Sequence, residues 1–379
     1  MKNHLYAVFN TYSPNSAVTN RALSYLDAWE KMGIKVTAVF MLPDKKFSHM
    51  NRQYENVSTL YMWDKFPFHN YLIHNILLFF YVYCFIKILK QGDKVYCMGQ
   101  TYLITRLLNK DKIDVFQERT EHPLTVESGK GPYRISLEKY LLCCKQLKGM
   151  FVISQNLKDY FVSKGVEENK VHIVNMTVNP VRFSNINKKE KQKKYIAYCG
   201  NASNNKDGVD QLIKSFALIS PRYPDLLLYI LGPAPKRDEK NNNVQLVEQL
   251  GVTDNVKFTG VVPSQEMPQI LTDATILALD RPDNLQAKYG FPTKLGEYLL
   301  TGNPVVVTSV GDIPHFIEDG VSGMVAKPDC PEDFAAKTEW LLKHPTEAAI
   351  IGQKGKQVAL KNFNSEIEAK KIINFIFQK

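Results

Sequence analysis

Short apolar, β-branched runs alternate with segments of helical period along the whole chain. The runs predict strands over 5–9, 36–41, 94–98, 113–117, 150–154 and 172–174, with helices over 17–32, 71–90, 132–145 and 155–164. The pattern then breaks. Residues 186–194, INKKEKQKK, hold one apolar side chain and read as a linker. Beyond it the alternation restarts, with strands over 195–199, 226–231, 256–259, 276–279, 305–308 and 324–325. Helices are expected there over 207–219, 266–271, 293–300, 331–342 and 346–360. Strands that are apolar throughout are buried on both faces, which implies parallel sheets with helices on either side. The fold class is therefore α/β, with two doubly wound, Rossmann-like domains over 1–185 and 195–364, facing across a cleft. The last helix, 365–379, is expected to pack back on the first domain. In such sheets ligands bind beyond the carboxyl ends of the strands.

Composition changes little, since 44% hydrophobic and 23% charged residues are ordinary for a globular protein. Charge distribution changes more. The first 185 residues carry +9, the stretch 186–194 a further +4, and the remainder −3. A basic first half suits a phosphorylated acceptor, another polyanion or an anionic membrane surface, and equally a solvated basic face with no dedicated partner. The eleven-residue run 76–86, ILLFFYVYCFI, is well short of a membrane span. Its aromatics and the flanking His69, His74, Lys87 and Lys90 fit a helix lying on a membrane surface, or a buried helix of the first domain. The N-terminal stretch has no signal-peptide apolar region. Six scattered cysteines without a CxxC spacing predict reduced thiols, hence a cytoplasmic protein, peripheral on the inner face of the membrane if the surface helix forms.

The loops after the strands exclude several chemistries. No GxGxxG succeeds the first strand, no GxxxxGK[ST] is present, and there is no HExxH. The sequence DRPD at 280–283 lacks the spacing of an acidic pair that holds a metal–diphosphate, so neither a metal nor another cofactor is expected, and nucleic acid is not an expected partner. The informative stretch is 287–323, AKYGFPTKLGEYLLTGNPVVVTSVGDIPHFIEDGVSG. Gly290 and Pro292 make a tight turn, and Thr293 reads as the N-cap of a helix carrying Lys294 and Glu297. A helix N-terminus with a lysine suits a diphosphate, and a carboxylate one turn inside suits sugar hydroxyls. As bare chemistry the same residues also make an ordinary capped helix.

This segment resembles the signature of retaining GT-B glycosyltransferases of family 4, the glycosyl transferases group 1. Members commonly show Glu-x7-Glu running into a helix and a G.PVV.t..GG..e.i.dg..G tail, matched here by TGNPVVVTSVGDIPHFIEDGVSG with Asp312 at the second Gly. FPTKLGEYL is similar to a subgroup of bacterial surface-polysaccharide enzymes. YCGNASNNKDGVDQLIKSF (198–216) resembles the family's strand, loop and helix, which makes Gly200 and Asn201 donor-side residues and Lys206 the lysine on the donor diphosphate. By the same resemblance Val261 and Val262 frame the nucleobase, and Tyr289, Gly290, Phe291, Pro292, Thr293 and Glu297 line the donor. FQERTEHP (116–123) resembles the loop that brings a His, here His122, toward the donor sugar; Asn15 and Ser16 fall where members carry a loop beside the acceptor. Two departures stand out. Tyr289 holds the place of the first Glu, and Asn201 that of an Arg that pairs with the loop lysine; Arg281 is either a substitute cation or a plain surface residue.

The resemblance implies a metal-independent hexosyltransferase that moves sugar from a nucleotide diphosphate sugar to a glycan or lipid-linked phosphate acceptor with retention, in capsule, exopolysaccharide or lipopolysaccharide synthesis. His122, Lys206, Lys294 and Arg281 would carry the chemistry. Tyr289 and Asn201 keep open a non-catalytic subunit that binds nucleotide sugar or glycan, and the fold alone would also suit an epimerase or phosphorylase.

Overall fold

The computed structural model describes residues 4–14, 16–99, 101–108, 113–127, 136–189, 194–233 and 242–377. The chain divides into two compact units, Met1–Thr177 with Ser365–Lys379, and Val178–Asn364. In the first unit seven strands form one sheet: β1 (Leu5–Thr11), β2 (Val36–Leu42), β3 (Val57–Tyr61), β4 (Lys94–Cys97), β5 (Asp114–Arg119), β6 (Gly149–Val152) and β7 (Val171–Ile173). Their order is β3-β2-β1-β4-β5-β6-β7, with every pairing parallel. The second unit holds β8 (Tyr195–Cys199), β9 (Leu227–Leu231), β10 (Val256–Gly260), β11 (Ile276–Leu279), β12 (Val305–Thr308) and β13 (Met324–Ala326). These run in the order β10-β9-β8-β11-β12-β13, again all parallel. Each sheet reverses its strand order once, at β1/β4 and at β8/β11, and such a switch point opens a crevice beyond the strand ends.

The elements form where the hydrophobic pattern places them. β6, β11 and β12 are buried at every position, which only a sheet covered on both faces allows. The helix Ala17–Lys31 begins at Ser16, whose hydroxyl accepts from Thr19 N at 3.1 Å, and sends Tyr25, Leu26 and Trp29 into the core. The strand β3 carries little sequence signal because only two of its five positions are buried, as befits an edge. The expected helix over 71–90 is two helices, Tyr71–Ile76 and Leu78–Ile88, separated by Leu77. The expected helix over 132–145 begins in part outside the described residues and is observed as Leu137–Gln146.

The helix Ser365–Phe377 returns to the first unit. Trp29 Nε1 donates to Ala369 O at 3.1 Å, and the buried Glu368 carboxylate accepts from Asn175 N at 2.9 Å. The crossing between units lies at Thr177/Val178, eight residues before the 185 boundary expected from the sequence. The polar run 186–194 is not a free linker where it is described. Lys188 Nζ donates to Ala274 O and Asn303 Oδ1, both at 2.9 Å, and Lys189 N donates to Asp273 Oδ1 at 2.7 Å. A scarcity of apolar residues is misleading here, because an ammonium can dock on carbonyls and carboxylates as firmly as a methyl group on a core.

Replacing Trp29 by Phe keeps an aromatic ring but removes the indole hydrogen bond to Ala369 O, leaving that carbonyl only its bond within the helix. Trp29→Phe is expected to cost the first unit about 1–2 kcal/mol, read in urea titrations through the fluorescence of Trp63 in the same unit. An unchanged midpoint would show that the hydrogen bond does not hold the returning helix.

Candidate functional site

Three segments of the second unit meet at the carboxyl ends of β8 and β11: the loop after β8, the residues after β11, and the start of the helix Thr293–Leu300. Asp207, at the end of the short helix Asn204–Asp207, accepts from Lys294 Nζ at 2.6 Å, and Arg281 Nε stands 4.0 Å from its other oxygen. The Tyr198 hydroxyl, 2.8 Å from the same carboxylate and 2.6 Å from Asn201 O, accepts from Lys294 Nζ at 3.1 Å. Lys294 also lies 4.6 Å from the centre of the Tyr198 ring. Tyr298, one turn on, accepts from Cys199 N at 2.6 Å and so pins the helix to the end of β8. Burial pulls the Lys294 ammonium below its ordinary value, opposed by Asp207. Burial likewise pushes the Asp207 carboxyl up, but Lys294 and Arg281 outweigh it and hold it below the carboxylate range.

Glycine is required at two points. A Cβ on Gly200, at φ +148°, would fall 2.3 Å from Lys294 Nζ, and one on Gly208, at φ +61°, would fall 1.8 Å from Asp280 O. The helix Thr293–Leu300 starts after Pro292, with no side-chain cap. The cap expected at Thr293 is displaced by one residue; Pro292 takes that position because its fixed φ, here −74°, suits the residue before the first turn. The first turn of this helix, which carries Lys294, therefore starts without a side-chain cap on its N–H groups.

Glu297, one turn inside the same helix, forms an ion pair with Arg182, whose Nη2 donates to Ser264 O at 3.0 Å. Burial pushes the Glu297 carboxyl up, and Arg182 opposes. Arg182 thereby ties three segments together: the turn Pro180–Phe183, the loop after β10 and the helix Thr293–Leu300. That loop carries Val261, which is exposed, and Val262, which is half-buried.

Lys206 is exposed, and its carbonyl accepts from Arg281 Nε at 3.3 Å. The residue directly before Gly208 is Asp207, and that carboxylate lies inside. Arg281, 2% exposed, is a buried member of the cluster and not a surface residue. Asn201 is exposed, and Tyr289 is half-buried at the end of the helix Leu285–Tyr289, followed by Gly290 as its C-cap. The Phe291 side chain belongs to the core, within 5.5 Å of the Phe316 and Phe363 rings. Asp207, Tyr198 and Arg182 are site residues that sequence reasoning does not find. The one sequence signal for Asp207 is its place beside Gly208; nothing local marks the other two.

In the first unit, His122 follows β5 and is 3% exposed, with its ring against Tyr160. Its Nδ1 accepts from Leu124 N at 3.2 Å, which in a neutral imidazole puts the proton on Nε2. Burial, with Arg119 and Lys164, pulls the ring below its ordinary value, so it is neutral at pH 7. Glu118, four residues before it on β5, accepts from Arg21 Nε at 2.5 Å and from the Tyr96 hydroxyl. Ser16 is engaged as a helix cap. Asn15 lies outside the described residues. Among the described residues no group of three or more His, Cys, Asp or Glu is placed to hold a metal ion.

This geometry sets two expected outcomes. Lys294→Ala strands the buried Asp207 carboxylate and is expected to cost about 3 kcal/mol, partly recovered in Lys294→Ala/Asp207→Asn, whereas Lys206→Ala should cost under about 0.5 kcal/mol. Thermal melts check both, and equal effects of the two lysines would contradict the burial argument. The second concerns Asp280, beside Arg281, whose carboxyl burial raises from 3.8 to about 8, with Ser215 opposing. A raised acid favours the fold below its unfolded value, and that contribution is lost as pH climbs through the folded one. Asp280→Asn should therefore gain melting temperature over the parent progressively from pH 4 to pH 8. A difference that does not vary with pH would contradict it.

Residues 182–358, just under half of the chain, match the family model described as glycosyl transferases group 1. Over 159 residues the chain is 29% identical to the GDP-mannose-dependent alpha-(1-6)-phosphatidylinositol monomannoside mannosyltransferase of Mycolicibacterium smegmatis, covering 41% of each chain. Over 124 residues it is 29% identical to the putative colanic acid biosynthesis glycosyltransferase WcaL of Salmonella typhimurium, covering 32% of this chain and 30% of that one. The matched stretches span about two fifths of the length of the first of these relatives. Among solved structures, Anabaena HepE in complex with UDP superimposes with a TM-score of 0.76 at 15% identity, covering 100% of both chains. That likeness shows the fold. The second unit of this chain is thus a glycosyl transferases group 1 domain, in a protein whose two parallel sheets have the GT-B fold.

Proposed function

We propose that this protein is a glycosyltransferase that moves a hexose-type sugar from a nucleotide diphosphate sugar to a glycan or lipid-linked phosphate acceptor, with retention of configuration. The observation that carries the reading is the cationic crevice at the β8/β11 switch point, where Lys294, Arg281 and an uncapped helix N-terminus converge within one family-matched domain. In the reaction the bond between the anomeric carbon and the diphosphate oxygen breaks, and both electrons leave with that oxygen. Fixed positive charge lowers the cost of this departure, and because the side chains and N–H groups supply it, no metal is needed. Asp207 holds Lys294 in place, so the ammonium is oriented before the donor arrives. The acceptor hydroxyl attacks from the face the diphosphate leaves and gives its proton to the departing phosphate oxygen.

In this reading the second unit takes the donor, with Glu297 accepting from the ribose hydroxyls and the loop at Val261 and Val262 against the base. The more basic first unit takes the acceptor. His122, neutral and with its proton on Nε2, donates to a sugar hydroxyl and does not act as a nucleophile. WcaL, named for colanic acid biosynthesis, and the mannosyltransferase, named for a phosphatidylinositol mannoside, support an acceptor in surface-polysaccharide or glycolipid assembly.

The test is release of free nucleoside diphosphate from a panel of nucleotide sugars, with and without oligosaccharide or polyprenyl-phosphate-linked acceptors. A transferase releases it only when an acceptor is present; a protein that shifts its melting temperature with a nucleotide sugar yet never releases diphosphate is the non-catalytic alternative. Glu297→Gln is expected to weaken donor binding about tenfold or more, with acceptor affinity unchanged. An unaltered donor Kd in the folded variant would remove Glu297 from the site.

A further inference from the structure

In the first unit the helices Tyr71–Ile76 and Leu78–Ile88 bury only one face. Leu78, Tyr81, Val82 and Phe85 enter the core at three-and-four spacing. The opposite stripe, with the same spacing, is Ile76, Phe79, Phe80 and Tyr83, and it continues through Lys87 to Lys90. Ile76 is 71% exposed, and Phe79, Phe80 and Tyr83 are each 44–47% exposed. Leu72, 69% exposed, extends the stripe at its other end. A helix that is apolar all round is ordinarily covered all round, and contiguous apolar surface of this kind marks an interaction site.

Charge identifies what covers it. Residues 65–92 contain three lysines and no Asp or Glu, and Lys65, Lys87 and Lys90 are all exposed. Lys87 Nζ lies 5.2 Å from the centre of the exposed Tyr83 ring, so cation and aromatic are presented side by side. Aromatic and aliphatic side chains flanked by lysines are the composition that settles at the boundary between lipid headgroups and acyl chains. Among the described residues no helix is long and apolar enough to cross a membrane. A second copy of the chain is a poorer occupant, because two acid-free basic stripes give each other's lysines no partner.

We propose that this face docks the protein on an anionic lipid bilayer, with the Ile76–Tyr83 stripe at the acyl boundary and Lys87 and Lys90 among the phosphates. The docking is independent of the transfer reaction, and its test requires neither donor nor acceptor. The full chain is sedimented with phosphatidylcholine vesicles and with vesicles containing about 30% phosphatidylglycerol, at low salt and at about 0.5 M salt. Binding should be at least about tenfold stronger to the anionic vesicles, with salt removing most of the difference. Phe79→Ser/Phe80→Ser, both exposed positions, should lose about tenfold or more in binding without a change in melting temperature. Lys87→Glu/Lys90→Glu should lose the preference for anionic lipid, at about fivefold per lysine removed. Equal sedimentation with both vesicles, or binding unaffected by either variant, overturns the proposal. So does a concentration-dependent dimer that the serine variant abolishes while no vesicle binding is seen, which would assign the face to a second copy.

Discussion

An aspartate with 4% of its side chain exposed stays ionised at the end of a parallel sheet only if a cation stands beside it, and Asp207 has Lys294 at 2.6 Å. The surroundings of the second unit's crevice are arranged around that contact. Gly200 leaves the space the ammonium fills, and Gly208 lets the chain turn under the Asp280 carbonyl into the following helix. Tyr198 sends its hydroxyl up from β8 to the same pair. Arg281, two residues past the neighbouring strand β11, reaches both the Asp207 carboxylate and the Lys206 carbonyl. Three segments far apart in sequence are therefore fixed by one ion pair and its hydrogen bonds.

The same contact sets the charge of the crevice. Asp207 offsets one of the two cations, Lys294 and Arg281, so a net positive charge remains at the mouth, reinforced by the helix N-terminus. A second ion pair, Arg182 with Glu297, sits one helical turn away and links the start of the second unit to the loop after β10. The two pairs divide the labour: one presents positive charge, and the other sets the orientation of a carboxylate.

The helix Leu78–Ile88 and the strands β11 and β12 are similar in local hydropathy, yet the strands vanish into the core and half the helix does not. The difference lies in their neighbours. A strand at the middle of a doubly wound sheet has helices on both faces, whereas this helix lies on the outside of the first unit with only its sheet-facing side covered. Its exposed stripe is the reason an apolar run can report an outer surface as readily as an interior.

The strands β8, β11 and β12 and the helix Thr293–Leu300 are readable in the sequence to the residue, because short apolar runs bounded by charged residues, Thr, Ser, Gly or Pro admit few alternatives. So are the two α/β halves and the return of the last helix. Local sequence does not decide which titratable groups meet. Lys206 and Asp207 are adjacent in a single helical turn, so their side chains leave it about 100° apart, and only the docking of that turn on the sheet decides that Asp207 is the buried one. Arg182 and Glu297 are separated by 115 positions, and no spacing rule pairs them. The hydrophobic period is a property of neighbouring residues and determines the elements; charge pairing depends on distances set only when the sheet brings strand ends together, and tertiary structure alone decides it.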